Sequence, residues 1–483
     1  MPTLTQTIRI DGVTRVEGHG RITVQLDEHG AVADAHLHVL QFRGFEKFCE
    51  GRPFYEMPSL TARICGICPV SHLLAGARAA DAIMGLRIPE TAEALRRVVH
   101  LAQIVQSHAL SFFHLSSPDF LMGWDADPAV RNLLGMAETH PDVALDGIRL
   151  RKWGQEVIEQ LGGRRIHTPW IVPGGVASPL RQEVRDEILG GIPAALAIAT
   201  RTLGFFRHMM DKFDEEVESF GNFPTLFMAL GRKDGNLCLY GSRRRHEGWL
   251  RFADAEGNIL ADNIHPRDYG EYIGEAVDEA SYMKAPYYKP TGYPQGVYRV
   301  GPAARLNMAR QCGTPLADEA LNEFRQRYGN VVLSSFHNHY ARLIEIIFAL
   351  ERMQQLLEPQ AILDPDVRAE ARANEAEGVG MIEAPRGTLI HHYKVDKNGM
   401  MTGANLIVAT AHNTLAIGRG LVQVARRFLK KGEVTEGMLN RMEGLVRAFD
   451  PCLSCATHDV GRFVTVVEVR NADGSLRQRL GKP

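Results

Sequence analysis

The first forty residues alternate apolar and polar positions with the two-residue period of strands. Thr7-Ile8-Arg9-Ile10 and Arg21-Ile22-Thr23-Val24-Gln25-Leu26 each place their apolar residues on one face, a turn follows at Glu28-His29-Gly30, and a third run spans Ala35 to Leu40. This pattern predicts a small antiparallel sheet. After Pro89 the period lengthens: Leu95, Val98, Ala102, Val105, Ala109 and Phe112 recur at three- and four-residue steps, the apolar stripe of a long helix. Comparable stripes predict helices over roughly 180–219, 316–328, 336–358, 404–430 and 434–448. Between about 236 and 265, short alternating runs and glycine turns predict a β-hairpin insertion. No repeat or low-complexity linker divides the chain. The expectation is one mainly helical α+β domain over residues 1–458, followed by a C-terminal extension over 459–483. In that extension Phe463–Val469, a turn at Asn471-Ala472-Asp473-Gly474 and Leu476–Leu480 predict a hairpin, which could be one more strand pair on the N-terminal sheet.

Composition narrows the class. The 483 residues are 45% hydrophobic and 23% charged, with a net charge near −2, so there is no electrostatic case for nucleic acid or an anionic membrane. The start, Met1-Pro2-Thr3-Leu4-Thr5-Gln6, has neither the basic residues nor the apolar run of a secretory signal. The most apolar stretch, Ile192 to Phe206, contains Arg201, and no membrane span is expected. Of the seven cysteines, Cys49, Cys238 and Cys312 are isolated and read as small buried hydrophobes rather than a disulfide framework. A cytoplasmic, reduced protein is the expectation.

The other four cysteines form two pairs, Cys65-Gly66-Ile67-Cys68 and Cys452-Leu453-Ser454-Cys455. Sulfurs at i and i+3 can face one metal from a tight turn, and four thiolates make a soft site for zinc, iron or another late transition metal; a redox dithiol shares the same spacing. Zinc ribbons separate their pairs by a short loop, whereas here most of the chain lies between them. The arrangement therefore predicts a centre at the heart of a large fold on which both ends converge. Pro69 and Pro451 stiffen the two turns. His72 lies close enough to Cys68 to donate to a thiolate, and His458 follows Cys455 by three residues, as a further ligand or a core histidine. Taken singly, Glu17 and Glu46 read as salt-bridged carboxylates, Arg386 as an ion-pair partner, His72 as a core histidine and Thr410 as a helix N-cap.

Joint placement changes these readings. Arg63-Ile64-Cys65-Gly66-Ile67-Cys68-Pro69-Val70-Ser71-His72 and Asp450-Pro451-Cys452-Leu453-Ser454-Cys455-Ala456-Thr457-His458 resemble the two signature motifs of nickel–iron hydrogenase large subunits. The resemblance extends to Asp11–His19, Arg43-Gly44-Phe45-Glu46, His167-Thr168-Pro169-Trp170 with Pro173-Gly174-Gly175, and Glu383-Ala384-Pro385-Arg386-Gly387, in the family's order along nearly the entire chain. Phe45-Glu46-Lys47-Phe48 and His391-His392-Tyr393 are similar to the cytoplasmic, bidirectional NAD-reducing subgroup. Ala409 stands where many relatives carry proline, and Asp459 where they tend to carry a small or apolar residue.

The resemblance implies a role for each residue. Cys65 and Cys452 would be terminal nickel ligands, and Cys68 and Cys455 would bridge nickel to an iron bearing carbon monoxide and cyanide. Glu17 would exchange protons with the Cys452 thiolate, Arg386 would hold a positive charge above the open metal face, and Thr410 would bond a cyanide. Glu46, the Leu406 carbonyl and His458 would hold magnesium, with His72 and Asp450 in supporting positions. The implied reaction is reversible cleavage of H2, with electrons leaving through an iron–sulfur small subunit to flavin- and NAD-binding diaphorase subunits. Residues around His167 and Trp170 are expected in the small-subunit contact. Maturation factors would supply the diatomic ligands, and an endopeptidase would cut between His458 and Asp459. Alternatives are a sister subgroup using NADP(+), a deazaflavin or another acceptor, a hydrogen sensor, a structural zinc protein, and a scaffold like the quinone-site subunit of respiratory complex I, which lacks the four cysteines.

Overall fold

The structure, a computed structural model, describes residues 4–241, 248–277, 281–429, 434–457, 467–470 and 476–480. The N-terminal sheet forms as its alternation requires. Strands Leu4–Asp11, Gly20–Asp27 and Val32–Val39 pair antiparallel in chain order, and Ile22, Val24, Leu26, Leu37 and Val39 turn into the core. The stripe after Pro89 becomes the helix Glu90–Ala109, which runs on through a π-helical segment, Leu110–Ser116. With Asn338–Leu357, Pro141–Gly162 and Gln182–Met209 it makes the helical body, to which Pro315–Tyr328, Thr414–Phe428 and Glu436–Phe449 add. One large apolar core runs through these helices, with a smaller one against the later sheets.

Four expectations change. Residues 404–407 are not helix: Met401–Ile407 is a strand, and the helix begins only at Thr414. The hairpin in 236–265 exists as Trp249–Ala253 and Ile259–Ile264, but as the outer half of a four-stranded sheet completed by Leu226–Gly231 and Tyr298–Arg299. The helix Gln182–Met209 extends into a following turn, and over Gln182–Lys212 it is long and apolar enough to cross a membrane by length and composition. Within it, Arg201 pairs with Asp146 at 2.7 Å and Arg207 with Glu323 at 2.5 Å, both on other helices of the same chain. The C-terminal hairpin is present as Val467–Arg470 against Leu476–Leu480, a two-stranded unit separate from the N-terminal sheet.

The element that positions the site is a three-stranded antiparallel sheet, Glu377–Ala384, Gly387–Val395 and Met401–Ile407. Its first strand is buried at every residue after Glu377, so it shows no alternation. It lies directly on the helix Pro69–Met84. A Cβ on Gly380 would stand 2.0 Å from the Ala75 carbonyl oxygen, and one on Gly378 would stand 2.2 Å from that of Ala79. Only glycine lets the strand backbone approach the helix backbone this closely. Gly380→Ala is expected to cost about 1–3 kcal/mol by overpacking, read as a lowered urea midpoint. An unchanged midpoint would mean the sheet and helix are not held at this separation.

Candidate metal centre

Each cysteine pair is presented by a turn abutting a helix. Cys65 ends the 3-10 turn Ala62–Ile64, and Cys68 precedes the helix Pro69–Met84. The backbone N–H groups of Ile67 and Cys68 point at the Cys65 sulfur at 3.2 and 3.1 Å, so the turn is already arranged for a negative Sγ. The second pair follows the helix Glu436–Phe449, which ends on Asp450 in the left-handed region at φ 52°. Cys452 then opens the turn Leu453–Ala456. Across the pairs, Cys65 Sγ lies 3.4 Å from Cys452 Sγ, and Cys68 Sγ lies 3.9 Å from Cys455 Sγ. All four sulfurs fall within 4.8 Å of one another and all four residues are buried.

The chain ends meet here by backbone pairing. Glu17 forms a parallel bridge with Cys452, and its carbonyl accepts from Leu453 N at 3.0 Å. The Glu17 carboxylate accepts from Ser454 N at 3.1 Å and from the Ser454 hydroxyl. Gly18, at φ 86°, leaves the space this requires, because a Cβ there would stand 2.8 Å from Leu453 Cβ. Arg43 donates to the Ile64 carbonyl beside the first pair and, at 3.2 Å, to the Ser454 carbonyl within the second. Thr410 is not an N-cap; Val408 takes that position, and the Thr410 hydroxyl accepts from Cys452 N at 2.9 Å.

The electrostatics are those of a site that needs a cation. Bonds from the Cys452, Cys455 and Cys65 thiols hold Cys68 well below the ordinary thiol range, while burial pushes Cys452 and Cys455 well up. Arg386 is buried, and although burial opposes its charge, Asp450 and the cysteines keep it firmly protonated. It donates through Nε to the Asp450 carbonyl at 2.5 Å and through Nη2 to the Asp450 carboxylate at 3.1 Å. Ser107 Oγ stands 3.5 Å from its third nitrogen.

A layer that motif reading missed holds Arg386 in place. Arg305 grips Glu345 with two bonds of 2.6 Å, donates to Glu383 at 3.0 Å, and reaches the Ala384 and Pro385 carbonyls at 2.9 and 3.0 Å. The turn that presents Arg386 is thus fixed by a guanidinium behind it. Burial opposes ionisation of Glu345, yet Arg305 and His108 hold it down at about 2. The signal available in the sequence was a lone carboxylate in an apolar helix, Leu343-Ile344-Glu345-Ile346-Ile347.

The remaining predicted residues are placed as follows. His72 is buried within bonding reach of Cys68. Glu46 accepts from Leu406 N at 2.8 Å and has the Lys284 ammonium 3.7 Å from its other oxygen. In an antiparallel strand a residue's N–H and C=O project to the same edge, so the Leu406 carbonyl also faces the Glu46 side. These hard oxygen donors suit magnesium. His458 and the junction with Asp459 lie outside the described residues. Trp170 is buried, its Nε1 donating to the Ser178 carbonyl at 3.0 Å, and it offers no surface to a partner. His167, half-buried, bonds the Cys65 carbonyl at 3.0 Å, and Ile166 beside it is exposed. Cys49, Cys238 and Cys312 are buried free thiols, and burial pushes Cys49 up to about 12. An open cleft lined by Glu17, His19, Phe42, Arg43, Gly66 and Ser454 lies beside the turns that carry the cysteines.

Comparison with known proteins agrees with this chemistry. A family model described as nickel-dependent hydrogenase matches residues 43–133 and 249–458, and one described as HoxL-like matches residues 7–42. The chain is 43% identical to the NAD-reducing hydrogenase HoxS subunit beta of Cupriavidus necator, covering 98% of this chain and 99% of that one. It is 42% identical to one subunit of the F420-non-reducing hydrogenase vhu of Methanococcus voltae, over 88% of this chain and 99% of that one. Among solved structures, an NAD+-reducing [NiFe]-hydrogenase in the H2-reduced state superposes with a TM-score of 0.90 at 43% identity, over 94% of this chain and all of that one. The Ni-Fe-Se hydrogenase of D. vulgaris Hildenborough gives 0.76 at 25% identity, again over 94% of this chain and all of that one.

Replacing Arg305 by Met strands two buried carboxylates. The expected loss is about 3–5 kcal/mol, measured by denaturant unfolding. A loss below ~1 kcal/mol would show that Glu345 and Glu383 find other partners.

Proposed function

The chain belongs to the nickel-dependent hydrogenase family, and on that footing we propose that it is the catalytic large subunit of a cytoplasmic enzyme coupling H2 oxidation to NAD(+) reduction. The observation that carries this reading is the set of four buried thiols within 4.8 Å, drawn from both chain ends, with Glu17 and Arg386 against them. Soft donors in a dry pocket suit nickel and low-spin iron. The four sulfurs would hold the metals, Cys65 and Cys452 as terminal nickel ligands and Cys68 and Cys455 shared with an iron that would bear carbon monoxide and cyanide. When bound, this centre supplies the redox capacity and Lewis acidity that cleave H2 heterolytically into two protons and two electrons.

The chain's own residues do the rest. Glu17, fixed by Leu453 and Ser454 at the edge of the cleft, would exchange a proton with the Cys452 sulfur and pass it outward. Arg386 keeps a fixed positive charge over the thiolates, and Asp450 orients it from two sides. Thr410 accepts from Cys452 N, which would leave its own hydroxyl proton for a cyanide. Magnesium would be held by Glu46, the Leu406 carbonyl and His458, while Glu275, 3.4 Å from Lys284, partners that ammonium.

Electrons leave through an iron–sulfur small subunit that covers the cleft, meeting Phe42, His167 and Ile166, and continue to flavin- and NAD-binding subunits. Loading of nickel and the iron ligands calls for maturation factors. An endopeptidase then removes residues 459–483; Thr457, just before the cut, is buried, its carbonyl accepting from Arg43 N at 3.2 Å. A second reading, delivery to an acceptor other than NAD(+), draws on the 42% identity to the Methanococcus voltae hydrogenase.

The test is the complex purified from its own host. Nickel matched by iron beyond the partner's clusters, with H2-dependent NAD(+) reduction, is the expected result. Zinc without nickel in a chain ending at His458 would refute the metal assignment; turnover with a dye but not NAD(+) would select the second reading. Glu17→Gln should lower H2 oxidation about 10²-fold or more while nickel content stays whole; undiminished turnover would remove Glu17 from the proton path. The intact mass of the active large subunit should correspond to a chain ending at His458, and one ending at Pro483 would reject processing.

A further inference from the structure

Behind the Cys68 sulfur lies a buried hydrogen-bonded line that the catalytic reading leaves unused. His72 Nδ1 is 3.1 Å from His391 Nε2, and His391 Nδ1 is 2.6 Å from the Tyr393 hydroxyl. All three residues are at most 1% exposed. His391 and Tyr393 alternate along one face of the strand Gly387–Val395, against the helix Pro69–Met84 that carries His72. Gly76, one turn beyond His72, makes room for the phenol: a Cβ there would stand 3.2 Å from the Tyr393 oxygen.

The direction of this line follows from proton counting. A neutral imidazole has one donor and one acceptor nitrogen, so each ring passes on the direction it receives. A metal-bound thiolate only accepts. For His72 to donate to Cys68 from its remaining nitrogen, its Nδ1 must accept from His391 Nε2–H, and His391 Nδ1 must in turn accept. The group facing that nitrogen is a phenol, which carries a proton to give. The Thr61 hydroxyl, whose proton goes to the Met57 carbonyl at 2.7 Å, has none to give the phenol. The opposite direction would set the lone pair of a neutral His72 against the sulfur.

We propose that His391 and Tyr393 are positioning residues that impose one hydrogen-bond direction on His72 and so aim its outer N–H at the Cys68 sulfur. This rests on the assignment of Cys68 as a bridging thiolate beside a carbonyl-bearing iron. A bridging sulfur relieved of its hydrogen bond donates more charge to iron, which lowers the C≡O stretching frequency of a ligand on that iron.

The experiment is infrared spectroscopy of the purified complex carrying Tyr393→Phe, His391→Leu or His391→Gln, with nickel measured on each sample. Tyr393→Phe and His391→Leu should both move the C≡O band to lower wavenumber. His391→Gln should keep the unsubstituted band, because its amide oxygen accepts from Tyr393 and its N–H2 donates to His72. A purely structural role predicts no such rescue. A Tyr393→Phe band at the unsubstituted position, or equal shifts in His391→Gln and His391→Leu, overturns the proposal. If Tyr393→Phe acquires no nickel, the two His391 variants decide alone, and identical bands count against it. A nickel-replete unsubstituted complex with no C≡O band would instead defeat the iron assignment on which the inference rests.

Discussion

Four sulfurs in a dry pocket cannot all be negative without cations among them. Two like charges about 4 Å apart repel by roughly 4 kcal/mol even at the effective dielectric near a protein surface, and the cysteines approach to 3.4 and 3.9 Å across the pairs. Left to themselves they share protons, with one thiol held low and two pushed high. The surroundings answer this imbalance in layers. Backbone N–H groups face Cys65, the Arg386 guanidinium covers the thiols, Asp450 balances Arg386, and Arg305 with its two carboxylates holds the turn beyond. Within these layers each charged side chain faces an opposite one, so the positive charge beside the thiols is itself paired.

The motif residues were legible because their chemistry constrains identity. A Cys-x-x-Cys pair points to a soft metal or a redox dithiol, and the fold brings the two pairs together; Glu17, Arg386 and Thr410 stood out only through the motifs around them. The sheet that carries Arg386 was not legible in the same way. Glu377–Ala384 is covered on both faces, so alternation vanishes, and Leu406-Ile407-Val408 merged with the helical stripe after it. A strand packed on helix backbone through Gly378 and Gly380 announces itself only by small residues, which have many explanations.

Contacts between distant segments were equally hidden. Arg305 and Glu345 look like ordinary charges until the fold buries them together, and Arg43 was part of a recognised motif before its role in tying Ile64 to Ser454 was visible. Trp170 shows the reverse error. An aromatic in a motif invites an interface reading, but here it fills the chain's own core and leaves that part to His167 and Ile166.

The pairing of Glu17 with Cys452 has a consequence for biosynthesis. The two cysteine pairs are 387 residues apart in the chain. At roughly 5–20 residues per second the second pair leaves the ribosome some 20–80 s after the first. Throughout that interval Cys65 and Cys68 belong to a nascent chain whose matching half does not yet exist, and the Glu17 segment has no partner strand. The metal pocket is therefore among the last features to form, and an incomplete chain presents two unguarded thiols rather than a partly working enzyme.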